Sequence, residues 1–294
     1  MNQVLNVDRI TKRIGAKLIL DDVSFTINEK EIVGFVGPNG AGKTTTFKII
    51  TNLLFADQGT ITVCGHDLST KRESALECMG SIIESPALYT NMSGLANLRL
   101  AAGLRNIKKE RIDEIISLIA IGSAIDRSVK TYSLGMKQRL MLGMCLLPKP
   151  RLLLLDEPTN GLDPTGSLEF RQTIMRYAQE NQTAVLISSH LLHDLQQMCD
   201  RYIFIKDGRI IKETVNQPVT VYLIQTPQAE RLVQLLNSIS ETAAAIGESR
   251  VRIRLDQGLT IKQLIDIISQ NDIIIQDLTS VTDHIEAQYA ELFL

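Results

Sequence analysis

The sequence predicts an α/β protein built on a parallel sheet, with a small α/β appendage at its C-terminal end. Ile32–Val36 is a short apolar run typical of a buried strand; a glycine-rich turn follows it, and residues 43–53 have helical character. After residue 150 the apolar patterns alternate between strand and helix, over 152–155, 165–180, 184–188, 191–198 and 202–206. Strands that alternate with helices form βαβ units, in which a parallel sheet is covered on both faces.

The remaining segments complete this outline. Val23, Phe25 and Ile27 alternate with polar residues, which predicts a half-buried strand. Residues 94–122 carry apolar side chains at helical spacing, and core packing explains these stripes. Beyond a boundary near residues 216–218, the patterns predict strand 219–224, helix 228–239, strand 250–255 with three arginines on a solvated face, helix 261–268, an extended segment 273–275 and helix 283–293.

Composition and charge exclude several classes of protein. The chain has 294 residues, of which 44% are hydrophobic, enough to bury a sizeable core. A formal charge of -2 and a pI of about 6.1 argue against a nucleic-acid partner. The four cysteines form no C-x-x-C pair and are typical of reduced thiols in a cytosolic protein. No apolar run approaches the roughly 20 residues that span a bilayer, and no signal peptide is visible, so we expect any work at a membrane to need a second chain.

The turn after residue 36 has the spacing of a phosphate-binding loop. It matches G-x-x-x-x-G-K-[ST] over Gly37, Pro38, Asn39, Gly40, Ala41, Gly42, Lys43 and Thr44. Glycines let the backbone wrap closely, so that N–H groups and the positive end of the following helix meet phosphate oxygens. Lys43 neutralises charge on the β- and γ-phosphates, and Thr44 offers a hydroxyl to Mg²⁺. The pattern predicts a nucleotide site.

Two carboxylates close the apolar strand 152–155. Asp156 and Glu157 fall at the carboxyl end of that strand, the edge where ligands bind in parallel sheets. We expect Asp156 to hold Mg²⁺, commonly through water, and Glu157 to act as the general base that polarises the attacking water.

A third segment, Tyr132-Ser133-Leu134-Gly135-Met136-Lys137-Gln138-Arg139, opens a helix that runs to about residue 147. Ser133 suits the N-cap of that helix, which is a structural role. The free N–H groups at the same helix start also suit an anion such as a γ-phosphate. Residue chemistry alone leaves these two roles open.

The motifs GPNGAGKTT, YSLGMKQRL, LLLLDEPTNGLDP and ISSH, in this order, resemble the nucleotide-binding subunit of ABC transporters over about residues 4–213. The resemblance implies a P-loop NTPase of ABC type over residues 1–214, with a RecA-like core, an antiparallel β portion and a helical insert at about 83–147. Residues 215–294 then form the small α/β domain. It also implies ATP and Mg²⁺ as ligands, and hydrolysis of ATP.

The same resemblance implies how two chains meet. Two copies form a head-to-tail dimer on ATP, in which the loop of one copy, including Thr45, faces the signature residues of the other. Those signature residues are Ser133, Leu134, Gly135 and Met136. Asp163 communicates across the dimer, and His190 contacts the γ-phosphate.

Two positions depart from the family pattern. Glu84 stands where the family has a glutamine that contacts Mg²⁺ and water; an ionised carboxylate ligates Mg²⁺ but cannot donate a hydrogen bond. We therefore expect Glu84 to keep a metal-sensing role with altered coupling to the permease. Ile14 stands where an aromatic residue stacks on adenine, so we expect loose discrimination among nucleoside triphosphates.

Two segments resemble a narrower group, the ATP-binding subunits of bacitracin and lantibiotic self-protection exporters: Glu84-Ser85-Pro86-Ala87-Leu88-Tyr89 and Tyr132-Ser133-Leu134-Gly135-Met136-Lys137-Gln138. That resemblance implies a separate, ABC-2-like membrane permease that exports a peptide antibiotic, with this chain bound peripherally at the cytoplasmic face of the membrane. Exporters of another drug, an ion or a polysaccharide, a soluble ATPase of the same fold, and a non-catalytic nucleotide switch stay open as alternatives.

Overall fold

The computed structural model describes residues 2–84, 88–216, 219–237, 243–247, 249–254, 260–283 and 285–293. The chain divides into two compact units, Met1–Asn216 with Phe293, and Gln217–Leu292 with Leu294. The boundary that we predict from the sequence after residue 214 falls near this division. Within the described residues, no helix is both long and apolar enough to cross a bilayer.

The first unit contains ten strands and seven α-helices within its described residues. The strands are β1 Gln3–Ile14, β2 Lys17–Asn28, β3 Ile32–Val36, β4 Gln58–Val63, β5 His66–Asp67, β6 Met79–Ile82, β7 Leu152–Asp156, β8 Ala184–Ser188, β9 Arg201–Lys206 and β10 Arg209–Val215. The helices are α1 Lys43–Ile50, α2 Arg72–Glu77, α3 Gly94–Gly103, α4 Lys109–Ile119, α5 Leu134–Leu146, α6 Pro164–Asn181 and α7 Leu192–Met198.

A six-stranded sheet forms the centre of this unit, in the order β10-β9-β3-β8-β7-β6. All its neighbours pair in parallel except β9 and β10, which are antiparallel. Every residue of β3, β7 and β8 is buried, as expected for strands covered on both faces. Because these strands are parallel, their carboxyl ends lie along one edge, which positions the candidate site.

A second, antiparallel sheet has the order β2-β1-β4-β5. Val23, Phe25 and Ile27 of β2 are buried while Ser24 and Thr26 are exposed, which confirms the alternation read from the sequence. Rings from three elements then join this sheet to the central one and to α1. The centroids of Phe25 and Phe35 are 5.5 Å apart, and those of Phe35 and Phe47 are 6.1 Å apart. These contacts fix β3 and α1 on either side of the phosphate-binding loop.

Between β6 and β7 the chain forms the helical insert, which comprises α3, α4, two short 3-10 helices and α5. Leu98 of α3 and Ile115 and Ile119 of α4 are fully buried, as their helical spacing predicts. Gly143 of α5 lies against the two isoleucines, since a Cβ there would stand 2.9 Å from Ile115 and 3.0 Å from Ile119. Packing of α5 against α4 therefore fixes the position of α5 within the insert.

The second unit is a sheet with helices and has its own core. Its elements are β11 Val219–Gln225, α8 Ala229–Asn237, β12 Ala243–Ile246, β13 Arg250–Arg254, α9 Ile261–Gln270, β14 Asp277–Asp283 and α10 Ile285–Phe293. The sheet order is β12-β13-β11-β14 with antiparallel pairs throughout, a β-α-β-β-α-β arrangement followed by a helix. Ile224, Val251 and Ile253 form its core with Leu232 and Leu264.

Two predictions for this unit are wrong. Residues 273–275 are not a strand; Ile273 is a buried residue of the loop after α9, and the strand is β14. The final helix accordingly begins at Ile285 rather than at residue 283, because residues up to Asp283 pair with β11. The pattern also missed the short strand β12. Leu255, predicted as part of the arginine-bearing strand, lies outside the described residues.

Candidate nucleotide-binding site

The loop between β3 and α1 is held close to the sheet. A Cβ on Gly37 would overlap the carbonyl of Ile205, and a Cβ on Gly42 would stand 2.6 Å from Leu20. Gly42, at φ 109°, also adopts a conformation that favours glycine, and the N–H of Gly208 donates to the carbonyl of Ala41 at 3.1 Å. The sequence spacing of glycines therefore reflects contacts that larger residues would break.

Helix α1 begins without a side-chain cap, because Gly42 occupies its N-cap. Its first N–H groups are consequently available to an anion at the loop. Asn39 and Gly40 form the exposed tip of the loop, whereas Thr44 and Thr45 are half-buried in the first turn of α1. The first turn of α1 thus has the features of a phosphate site.

Lys43 lies over this loop and is 8% exposed. Its Nζ donates to the carbonyl oxygens of Gly37 at 2.7 Å and Pro38 at 3.2 Å. Burial lowers the pKa of the Lys43 ammonium, and the carboxylates of Glu157 and Asp156 oppose that shift. Phosphate oxygens would replace the carbonyl contacts with charge-assisted ones.

The carboxyl ends of β7 and β8 meet through Ser188, a residue that the sequence did not single out. Its Oγ donates to Asp156 Oδ1 at 2.6 Å, and the same Oγ accepts from the N–H of Glu157 at 3.0 Å. Asp156 is 6% exposed, and Glu157 has φ 50° in the left-handed region. Ser188 therefore orients one carboxylate and supports a backbone conformation that is uncommon for glutamate.

His190 contacts the carboxylate of Glu157. Its Nδ1 lies 2.7 Å from Glu157 Oε2, and its backbone N–H donates to the same oxygen at 3.1 Å. The His190 side chain is 51% exposed, so its Nε2 side remains accessible at the sheet edge. This contact fixes the direction of the carboxylate and leaves the expected contact with a γ-phosphate as a prediction.

One cavity of about 620 Å³ brings together the predicted metal ligands and the predicted general base, but not His190. Thr44, Glu84, Asp156 and Glu157 line it. Leu134, Lys137, Gln138 and Met141 of α5 and Asn160 also line it. The buried Oε1 of Gln138 has no hydrogen-bond partner among the described residues. Sequence reasoning assigned nothing to Lys137, Gln138 or Asn160.

Glu84 reaches this cavity from the segment after β6. Its Oε1 lies 2.6 Å from Lys48 Nζ, and its backbone has φ 57°. Ser85, Pro86 and Ala87, on which part of the narrower resemblance depends, lie outside the described residues.

Ser133, Asp163 and Ile14 are exposed, whereas Gly135 and Met136 are half-buried, and none of these five lines the cavity. Ser133 is the N-cap of α5, and its Oγ accepts from the N–H of Met136 at 3.3 Å. Gly135 lies in the first turn of α5, and Asp163 is the N-cap residue of α6 without a side-chain cap bond. Ile14, at the end of β1, is 53% exposed.

Fold and site together define a nucleoside-triphosphate-binding protein with a phosphate-binding loop. A family model described as ABC transporter matches residues 20–160. The chain is 37% identical to the uncharacterized ABC transporter ATP-binding protein YhcH of Bacillus subtilis, over 99% of this chain and 96% of that protein. The chain therefore belongs to the ATP-binding proteins of ABC transporters. The predicted family, fold class, ATP binding and ATPase class are confirmed at this level.

Two similar proteins have more specific names. The bacitracin transport ATP-binding protein BcrA of Bacillus licheniformis is 36% identical, over 72% of this chain and 70% of that protein. The lantibiotic transport ATP-binding protein SrtF of Streptococcus pyogenes is 38% identical, over 71% of this chain and 90% of that protein. Among solved structures, an ATP-binding subunit of an ABC transporter has a TM-score of 0.66 at 27% identity, over 72% of this chain and 90% of that chain.

Proposed function

We propose that this chain hydrolyses Mg²⁺–ATP to drive a separate membrane permease that exports a peptide antibiotic. The observation that carries the ATPase part is the convergence of Thr44, Asp156 and Glu157 on one cavity beside the Lys43 loop. Similarity to the named bacitracin and lantibiotic transport proteins supports the choice of cargo. The expected location is peripheral, at the cytoplasmic face of the membrane.

The oxygen donors of the cavity fit Mg²⁺. Thr44 supplies a hydroxyl and Asp156 a carboxylate held by Ser188. Among the described residues no group of three or more histidine, cysteine or acidic side chains is placed to hold a metal. Phosphate oxygens and water would supply the remaining ligands of the ion. Bound there, Mg²⁺ would neutralise charge on the β- and γ-phosphates. Glu84 is our third candidate ligand.

Glu157 is our candidate for the general base. Its carboxylate lines the cavity and receives two contacts from His190, which restrict its direction. A carboxylate so placed accepts a proton from the attacking water, and such catalysis contributes about 10²- to 10⁴-fold. His190 thereby acts on Glu157 as a positioning residue, in addition to its predicted contact with the γ-phosphate.

In the proposed dimer, each phosphate site is formed by groups from both copies of the chain. Gly37, Lys43 and the uncapped start of α1 supply main-chain N–H groups and an ammonium from one copy. The exposed start of α5 at Ser133 supplies N–H groups from the second copy, with Leu134, Gly135 and Met136. Asp163, exposed before α6, is our candidate for communication with that second copy.

The permease contact is assigned to the apolar surface of the insert. A groove of about 380 Å³ lies between the sheet and the insert, and Thr51, Met79, Leu104 and Arg105 are among its lining residues. Leu104 is 81% exposed, and exposed apolar surface of this kind is typical of protein–protein contacts. The proposed partner is an ABC-2-like permease.

An export assay tests the cargo. The chain, expressed with a candidate permease in a sensitive Gram-positive host, is expected to raise the inhibitory concentration of bacitracin or of a lantibiotic at least about fourfold. The same pair with Lys43→Met should give no protection, because the ammonium that holds phosphate is removed. Unchanged sensitivity to both peptides, with an active ATPase, would reject the antibiotic cargo and favour another substrate.

A further inference from the structure

Lys48 and Glu84 form an ion pair that joins α1 to the segment after β6. Lys48 Nζ lies 2.6 Å from Glu84 Oε1. Lys48 follows Thr44 by one helical turn, so the two side chains share a face of α1. The Lys48 side chain is 32% exposed and the Glu84 side chain 60% exposed, so the pair lies at the margin of the cavity.

The charges of the cavity explain why Glu84 needs a cation. Glu84 shares the cavity with the carboxylates of Asp156 and Glu157, and like charges in one cavity disfavour each other. Lys43 donates to carbonyls of the phosphate-binding loop, whereas Lys48 contacts Glu84 directly. Lys48 therefore neutralises Glu84.

The pairing also accounts for the residue type at position 84. A glutamine could accept a hydrogen bond from Lys48 but would leave the ammonium without an opposite charge. The left-handed backbone of Glu84, at φ 57°, is uncommon for glutamate and needs support from its surroundings. Lys48 provides such support through the side chain.

We propose that Lys48 is a positioning residue that competes with the divalent cation for Glu84. This inference rests on the proposed role of Glu84 as a metal ligand. Lys48 holds the carboxylate beside α1 in the absence of nucleotide, and Glu84 leaves Lys48 when Mg²⁺–ATP occupies the cavity. Metal binding thereby breaks the ion pair between Glu84 and α1.

Metal affinity of the full-length chain tests this competition. Mn²⁺, an electron paramagnetic resonance probe, is titrated at a saturating concentration of a non-hydrolysable ATP analogue. Lys48→Met is expected to bind Mn²⁺ about 2- to 5-fold more tightly, the range that corresponds to loss of a partly exposed ion pair. Lys48→Arg keeps the charge and should match the parent protein, and Glu84→Gln should bind more weakly.

Lys12→Met is the matched control. Lys12 forms an ion pair with Asp57 at 2.7 Å, and neither residue lines the cavity. Mn²⁺ affinity should be unchanged in this variant. Tighter binding in Lys12→Met as well would assign the effect to net charge and overturn the role of Lys48.

Two further outcomes separate this inference from the function on which it rests. If Glu84→Gln weakens Mn²⁺ binding while Lys48→Met leaves it unchanged or weaker, the competition is refuted and the metal role of Glu84 stands. If Glu84→Gln binds Mn²⁺ with the affinity of the parent protein, both the competition and the metal role of Glu84 are refuted.

Thermal unfolding without nucleotide or metal provides a second readout. Lys48→Met, Glu84→Gln and the double variant form a double-mutant cycle, which isolates the coupling between the two side chains. The double variant should lose less stability than the sum of the single losses. Additive losses would mean that the pair is not formed in the resting chain, and would overturn the proposal.

Discussion

Helices α1 and α5 both line the cavity, but their N-termini begin in different ways. Helix α1 starts at a glycine without a side-chain cap, with Lys43 folded over the preceding loop. Helix α5 starts at Ser133, whose own hydroxyl accepts the N–H of Met136, and Ser133 is exposed. The carboxylates of Asp156 and Glu157 act on Lys43 at the first start, and they share the cavity with Leu134 of the second.

This difference indicates that the two helix starts of one chain have different roles. The start of α1 has the charge, metal-ligand and base groups that act on a phosphate within the same chain. The start of α5 is already capped by the Ser133 side chain. An anion bound there is therefore not needed to stabilise the helix. A second copy is the partner that we propose for it. The predictions below change one start or the other, in order of decreasing effect.

The largest effect is expected at the base beside α1. Glu157→Gln should lower ATP hydrolysis by about 10²-fold or more, because the amide cannot accept the proton of water. ATP binding should persist, and the nucleotide-bound dimer should accumulate. Phosphate release and size-exclusion chromatography with ATP measure the two effects. Hydrolysis at the parental rate would refute the assignment of Glu157.

A charge at the start of α5 separates its structural role from its functional role. Ser133→Asp retains an N-cap side chain of similar quality but places a carboxylate where the γ-phosphate of a second copy would lie. ATP hydrolysis should fall about 10-fold or more, while the melting temperature should stay within experimental scatter.

Ser93→Asp is the matched control for that substitution. Ser93 caps α3 in the same manner, accepting from the N–H of Ala96 at 3.1 Å, but does not line the cavity. Its ATPase activity should equal that of the parent. Full ATPase activity in Ser133→Asp would show that Ser133 acts only as a helix cap.

Ser188 supports the groups beside α1 through its hydrogen bonds with Asp156 and with the N–H of Glu157. Ser188→Ala removes the donor to Asp156 and the acceptor for the Glu157 N–H, so the turnover number should fall about 10-fold and stability by about 1 kcal/mol. Steady-state kinetics at saturating Mg²⁺ and thermal unfolding provide both values. A loss of stability with unchanged turnover would show that Ser188 serves the fold alone.

The smallest effect concerns base recognition. Ile14→Tyr adds a ring where the chain has an exposed aliphatic side chain, so ATP affinity should rise about fivefold, equivalent to about 1 kcal/mol of stacking. The parent should bind ATP and GTP with similar affinity in a competition assay, and the variant should prefer ATP. A strong preference for ATP in the parent would contradict the prediction of loose discrimination.

Two kinds of element were predictable from the sequence: strands that are buried on both faces, and loops whose motif lies in consecutive residues. β3 and β8 have the bounds that the apolar runs indicate, since strands buried on both faces allow only apolar residues over most of their length. The phosphate-binding loop was predictable for a similar reason, because a side chain on Gly37 or Gly42 would meet backbone and side-chain atoms from β2 and β9.

Features that depend on strand register or on edge strands were not predictable. Ser188 lies opposite Asp156 only because β7 and β8 pair in a particular register. β14 has a polar sequence that resembles a loop, whereas the apolar residues just before it include Ile273, which packs in the core from a loop. The Lys48–Glu84 ion pair likewise joins residues far apart in the chain.

A mixing experiment tests the shared site most directly. The Lys43→Met variant is expected to be inactive and the Ser133→Asp variant to retain at most about a tenth of the parental activity, but a mixed dimer contains one site with an intact loop and an intact serine helix. In a symmetric two-site dimer, single-turnover phosphate release by an equal mixture should therefore recover to roughly one quarter of the parental amplitude. A mixture as inactive as its components would mean that loop and serine helix act within one chain, and would contradict the account.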